Sequence, residues 1–151
     1  MDYNDLKSKI LKACKRVQSQ IIENLNIEIS DAKRMSSDII CPVERDDGGY
    51  QAQLLAKIDM LGKQLRKATE LYDVLLKVQP EKRMDTVGFG AVVITVSQKL
   101  FISAAIGKVE VNGDTYYAIS PNVPVYKAMN GKRANDEFVF NGKRIKILEV
   151  Y

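Results

Sequence analysis

Apolar positions along this chain follow two periods. From Leu54 they fall at Leu54, Ile58, Leu61, Leu65, Ala68, Tyr72 and Leu75, alternating spacings of four and three. That is the seam of a coiled coil. Leu55, Leu71 and Leu76 widen the stripe, which predicts a further covering surface. An earlier stretch carries Leu6, Ile10, Cys14, Val17, Ile21, Leu25, Ala32, Met35 and Ile39 at less regular spacing. Asn24-Leu25-Asn26 is the expected place for a stutter. No proline interrupts residues 4–41.

Cys41-Pro42-Val43-Glu44-Arg45-Asp46-Asp47-Gly48-Gly49 separates the two stretches. Pro42 lacks the donor a helix needs and biases Cys41 away from helical dihedrals. Asp47-Gly48-Gly49 is a turn signal. Two helices with facing apolar stripes and a short break fold back as an antiparallel hairpin. About 35 residues at 1.5 Å each give a rod of roughly 50 Å. Residues 1–79 are therefore expected as a helical hairpin with an exposed, acidic tip near 41–49.

Pro80 ends the second helix, and residues 80–85 read as a charged linker. From Thr86 the period becomes two. Val87, Phe89, Ala91, Val93 and Thr95 alternate with Gly88, Gly90, Val92, Ile94 and Val96. Both sets are apolar after Gly90, as in a strand covered on both faces. Asn112-Gly113 and Asn141-Gly142 each sit between strand-like runs and predict tight hairpins. Val123 to Asn130 reads as a short helix stopped by Gly131. The expected class is α+β. The helical hairpin precedes a small domain, residues 86–151, built as a twisted antiparallel sheet with one helix.

Composition narrows the chemistry. The chain has 151 residues, a net charge of +4 and no histidine. Ser-His and Cys-His nucleophilic devices are therefore excluded. Ser103 and Ser120 lack such a partner, and Cys14 and Cys41 make no disulfide framework. No apolar run approaches the roughly 20 residues that span a bilayer. The polar start Met1-Asp2-Tyr3-Asn4-Asp5 lacks a signal-peptide core. The expected compartment is the cytoplasm. Lys7, Lys9, Lys12, Lys15 and Arg16 form a basic run with no acid among residues 7–16. Lys9, Lys12 and Arg16 share a helix face, with Lys15 beside it. This face is the expected contact with nucleic acid or an acidic protein surface.

The segments Val87-Gly88-Phe89-Gly90, Val123-Pro124 through Gly131-Lys132, Asn135-Asp136-Glu137 and Ile147-Leu148-Glu149-Val150 resemble the C-terminal domain of the bacterial Gre transcript-cleavage factors. The order of hairpin, linker and FKBP-like sheet domain is similar to that family along most of the chain. The resemblance implies a transcription elongation factor, not an independent enzyme, that binds RNA polymerase. The sheet domain would dock at the secondary-channel rim and the hairpin would enter the channel. Nascent RNA is a further implied contact, while no membrane or small-molecule substrate is implied. In the family, tip carboxylates help hold the second Mg²⁺ of the polymerase. Here they would be Glu44, Asp46 and Asp47, with Asp46 and Asp47 as the shared metal ligands and no cofactor of the chain's own. Anchoring the family's tip tyrosine on Tyr50 puts Val43 where the family has aspartate and Asp46 where it has glutamate. The first family carboxylate is missing in that register.

Two other functions fit parts of the pattern. A channel-occupying regulator needs the hairpin but not the tip chemistry. A structural coiled-coil protein would bury Leu55, Leu71 and Leu76 against a second chain. Prolyl isomerase activity, raised by the FKBP-like shape, needs an aromatic-lined pocket, and Tyr116, Tyr117, Phe138 and Phe140 read instead as sheet packing.

Overall fold

The computed structural model describes residues 3–37 and 48–151. Helix α1 spans Tyr3–Ser37 and helix α2 spans Gly48–Leu76. Six strands follow: β1 Val92–Thr95, β2 Lys99–Ile102, β3 Gly107–Val111, β4 Asp114–Ile119, β5 Glu137–Phe140 and β6 Lys143–Val150. The short helix α3, Pro124–Met129, lies between β4 and β5. The α+β class expected from the two periodicities is the one observed.

The sheet order is β3-β4-β2-β1-β6-β5. The expected all-antiparallel sheet is corrected in one place, because β2 and β4 pair in parallel through Leu100–Tyr117, Phe101–Ala118 and Ile102–Ile119. The cause is connectivity. The chain leaves β2 and runs back as β3 on the outer edge. It then reverses at Asn112-Gly113, so β4 returns between them in the direction of β2. Asn112 and Gly113 have φ of 54° and 83°, and Asn141 and Gly142 have 53° and 76°. These are the left-handed values that two-residue hairpins demand. Both expected hairpins form there.

The alternation from Thr86 to Ala91 does not become a strand; β1 starts at Val92. Gly90 adopts φ 89°, and the Ala91 N–H turns back to the Gly88 carbonyl at 3.1 Å. Gly90 and Ala91 both face Ile102, whose carbonyl accepts from the Gly90 N–H at 2.7 Å and whose N–H donates to the Ala91 carbonyl at 2.9 Å, so the run enters the sheet through a bulge and not as a regular strand. Gly131, with φ 78°, closes α3 as expected.

Contacts divide the chain into two compact units, Gln18–Glu70 and Met1–Val17 with Leu71–Tyr151. In the larger unit, successive residues of β1 and β2 feed two cores. Val92 and Phe101 join Val109, Val111, Tyr116, Ala118 and Tyr151 on one face. That core also takes Leu6, Ile10, Leu11 and Cys14 from α1, and Leu75 and Val78 from around the end of α2. Val93, Leu100 and Ile102 join Val87, Met129, Phe138 and Ile147 on the other. Both faces of β1 are covered, as its doubly apolar sequence requires. Fully burying a side chain such as Phe101 contributes about 1.5–3 kcal/mol.

The smaller unit is a pair of helices. On α2 the four-three stripe is inward as read: Leu54, Leu61 and Ala68 are buried, and Ile58 and Leu65 are half-buried. On α1 the reading needs correction. Val17 and Ile21 are 38% and 42% exposed, and Met35 is exposed too. Gln18 is buried instead, with Ile22, Leu25 and Ile29 half-buried and Ala32 buried. The Gln18 Nε2 donates to the Ala68 carbonyl at 2.9 Å. An amide satisfied this way can occupy a seam that apolar counting assigns to its neighbours. The inward positions Lys7, Leu11, Cys14, Gln18 and half-buried Ile22 contain two successive steps of four, so the stutter falls at Gln18 and not at Asn24.

Candidate functional site

The tip acids Glu44, Asp46 and Asp47, with Cys41 and Val43, lie outside the described residues. The helix ends that bracket them are Ser37 and Gly48. Ser37 Oγ donates to the carbonyls of Lys33 and Arg34, each at 3.1 Å, which satisfies groups the last turn leaves open. Arg34 pairs with Asp31 at 2.6 Å and places positive charge at the negative end of the helix dipole. No group of three His, Cys, Asp or Glu side chains that could hold a metal occurs among the described residues.

The basic run divides in two. Lys7 is 1% exposed, and its Nζ donates to the Lys82 carbonyl at 2.8 Å. Burial, with the like charge of Lys82, lowers its pKa from 10.5 to about 8, while Glu81 pulls the other way. Lys7 shares a face with Leu11 and Cys14 through steps of four and three, which is the sequence signal for its inward position. Lys9, Lys12 and Arg16 are exposed and Lys15 is half-buried. Lys9 makes an i,i+4 pair with Asp5 at 3.1 Å, which offsets part of its charge. Lys12 and Arg16, one turn apart, are both exposed on one face.

Lys7 belongs to a clasp. The Arg83 guanidinium stands 5.2 Å from the centre of the Tyr3 ring. That ring packs on Tyr151 at 4.5 Å, tilted by 46°. Tyr151 in turn exchanges backbone hydrogen bonds with Val92 at 2.7 and 3.0 Å. The start of α1, the segment after α2 and the last residue are thus held on β1. Burial raises the Tyr151 phenol, with Tyr116 and Glu149 adding to the effect. Burial likewise pushes the Cys14 thiol up to about 12. A thiol so shifted is a packing group and not a nucleophile.

The segments that carried the resemblance meet in space. The Val87 N–H donates to the Lys132 carbonyl at 2.8 Å, and the Gly131 N–H donates to the Val87 carbonyl at 3.0 Å. The Asn135 N–H donates to the Ile147 carbonyl at 2.7 Å, and the Ile147 N–H to the Asp136 carbonyl at 2.8 Å. Asp136 Oδ2 accepts from the Arg133 N–H at 2.8 Å and closes the turn that presents Glu137. Met129, Phe138 and Ile147 pack beneath this junction.

Beside it, Lys77, Gln79, Lys82, Met84, Phe89 and Gly90 line an open recess of about 110 Å³. Phe89 is the one aromatic residue in that lining, unlike the aromatic-lined pocket of a prolyl isomerase. Tyr116 and Phe138 are buried in the sheet cores and Phe140 packs against one of them, as read from sequence, whereas Tyr117 is exposed on its strand. No helix among the described residues is long and apolar enough to cross a membrane.

The fold defined here is a helical pair joined to a mixed six-stranded sheet with one short helix. Similar solved structures include GreA factor homolog 1 (Gfh1) of Thermus thermophilus, at 14% identity and TM-score 0.39, covering 93% of this chain and 96% of that one. A structure described as the transcription factor Gfh1 has 16% identity and TM-score 0.38, covering 93% and 94%. Thermus aquaticus Gfh1 has 16% identity and TM-score 0.34, covering 92% and 94%. No protein-family model matches the chain, and comparison with curated proteins gives no match.

Proposed function

We propose that this chain is a Gre-like transcription elongation factor that binds RNA polymerase and acts through its secondary channel. The observation that supports the reading is the junction of Val87, Gly131-Lys132, Asn135-Asp136 and Ile147. Segments far apart in sequence that resemble the Gre C-terminal domain form one hydrogen-bonded unit, as parts of a shared domain must. A helical pair with an acidic connecting segment precedes it. The sheet unit docks, and the connecting segment of residues 41–49 approaches the polymerase active site.

There the chain supplies carboxylates. The polymerase Mg²⁺ supplies charge stabilisation and a more acidic bound water. Asp46 and Asp47, with Glu44 behind them, are oxygen ligands of the kind Mg²⁺ takes, and one or two from a visiting protein suffice. The test is RNA cleavage by a backtracked polymerase complex given the full chain or its Asp46→Asn/Asp47→Asn variant. Stimulation by the wild type, lost in the variant at equal binding, is the expected result. Binding without stimulation would make the chain a channel-occupying regulator, with Val43 in place of the family aspartate as the reason.

A further inference from the structure

Three Asn-Gly pairs occur in the chain, at Asn112-Gly113, Asn130-Gly131 and Asn141-Gly142. All three asparagines are exposed. Their surroundings differ in ways that bear on one reaction, the cyclisation of asparagine by the backbone nitrogen that follows it. That nitrogen must be free of other bonds and able to lose its proton. The side-chain amide must also be free to turn toward it.

At Asn130 both requirements are blocked. The Gly131 N–H is committed to the Val87 carbonyl at 3.0 Å. The Asn130 Oδ1 accepts from the Tyr126 hydroxyl at 3.0 Å. At Asn112 and Asn141, no hydrogen bond among the described residues holds the side-chain amide or the following glycine N–H.

Charge and pairing separate the two hairpins. Asn112-Gly113 is followed by Asp114, which is paired with Lys99 at 3.1 Å. A carboxylate disfavours the anion formed when the glycine nitrogen loses its proton. Asn141-Gly142 is followed by Lys143, which favours that anion, and by Arg144, whose charge is partly offset by Glu137 at 3.6 Å. The β5–β6 ladder is also shorter, four residue pairs against five for β3–β4. Each hairpin carries one sheet-edge strand, β3 or β5, and the one with the shorter ladder opens more readily.

We infer that Asn141 is a site of spontaneous deamidation in the folded protein, ahead of Asn112 and well ahead of Asn130. The Gly142 nitrogen gives its proton to hydroxide and bonds to the Asn141 side-chain carbonyl carbon. The bond from that carbon to the amide nitrogen breaks, and ammonia leaves with a proton taken from water. Water then opens the succinimide at either carbonyl, giving aspartate or isoaspartate. No other reactant is needed. Each product adds one negative charge next to Lys143. The isoaspartate also adds a methylene to the backbone of a two-residue turn, which breaks the Glu137–Lys146 to Phe140–Lys143 register and frees edge strand β5.

The experiment incubates the full chain in mildly alkaline buffer, native or unfolded in urea, and follows each asparagine by peptide mass spectrometry with isoaspartate detection. In the native protein Asn141 should convert at least about tenfold faster than Asn130, where two hydrogen bonds must be released. In urea the three sites should fall within about threefold of one another, since the dipeptide is the same. Lys143→Glu/Arg144→Glu should slow Asn141 at least about twofold. Native conversion of Asn130 as fast as Asn141, or the same order in urea as in the native state, would overturn the inference.

Discussion

Replacing Lys7 by Met tests the clasp through its pH dependence. Lys7 is buried, and its pKa falls from 10.5 to about 8 through burial first and Lys82 second, with Glu81 opposing. The folded state therefore binds this proton less tightly than the unfolded state. The burden on stability is full below pH 8 and is relieved as pH rises toward 10.5. A shift of that size corresponds to at most about 3 kcal/mol, at 1.36 kcal/mol per unit. About 1 kcal/mol of it is recovered between roughly pH 7 and 9. Cys14, Tyr116 and Tyr151 have raised values, so they lose stability at higher pH. They are present in both proteins and cancel in the difference. Met keeps the apolar stem, and the donor lost to the Lys82 carbonyl is a constant offset. The assay is urea denaturation of wild type and Lys7→Met at several pH values from 7 to 9. Wild type should gain about 1 kcal/mol relative to the variant across that range. A flat difference, or one of opposite sign, would refute the buried-ammonium reasoning.

Other predictions follow from packing and charge. Leu61 is 3% exposed, so Leu61→Ala should cost about 2–3 kcal/mol in a thermal melt followed by circular dichroism, near the low end for a two-helix seam. Leu55, 55% exposed, should tolerate alanine within about 0.5 kcal/mol, and equal effects at the two sites would contradict the helix pairing. Changing Lys9, Lys12 and Arg16 to Glu should weaken polymerase or RNA binding and flatten its salt dependence, as a fluorescence titration at several ionic strengths would show. Residues 86–151 alone should lack a cooperative melt, because Phe101, Val109 and Tyr116 lose Leu6, Ile10, Leu11, Cys14, Leu75 and Val78 from their core. A sharp transition in that fragment would show that the helix ends are dispensable.

Much of the fold was legible in the sequence where local signals and burial agree. The α2 seam, the two Asn-Gly hairpins and the Gly131 stop each rest on short-range chemistry. The α1 seam misled because an apolar count cannot see a glutamine whose amide finds a carbonyl on another helix. For Lys7 the spacing to Leu11 and Cys14 carries its inward position, but not its carbonyl partner 75 residues away. The parallel β2–β4 pairing depends on the order in which strands insert, which no local period encodes. The candidate site was legible only in part. Lys9, Lys12 and Arg16 are outward as read, and Lys15 is partly covered. The roles proposed for Glu44, Asp46 and Asp47 rest on the resemblance to the Gre factors, and the three lie outside the described residues.

Binding to RNA polymerase is the most direct test of the account. The full chain, labelled on an exposed residue of the hairpin, is titrated with core polymerase and followed by fluorescence anisotropy. An authentic Gre cleavage factor is then added. Saturable binding that the competitor displaces is the predicted result. No binding, or binding that the competitor leaves untouched, would contradict a secondary-channel factor.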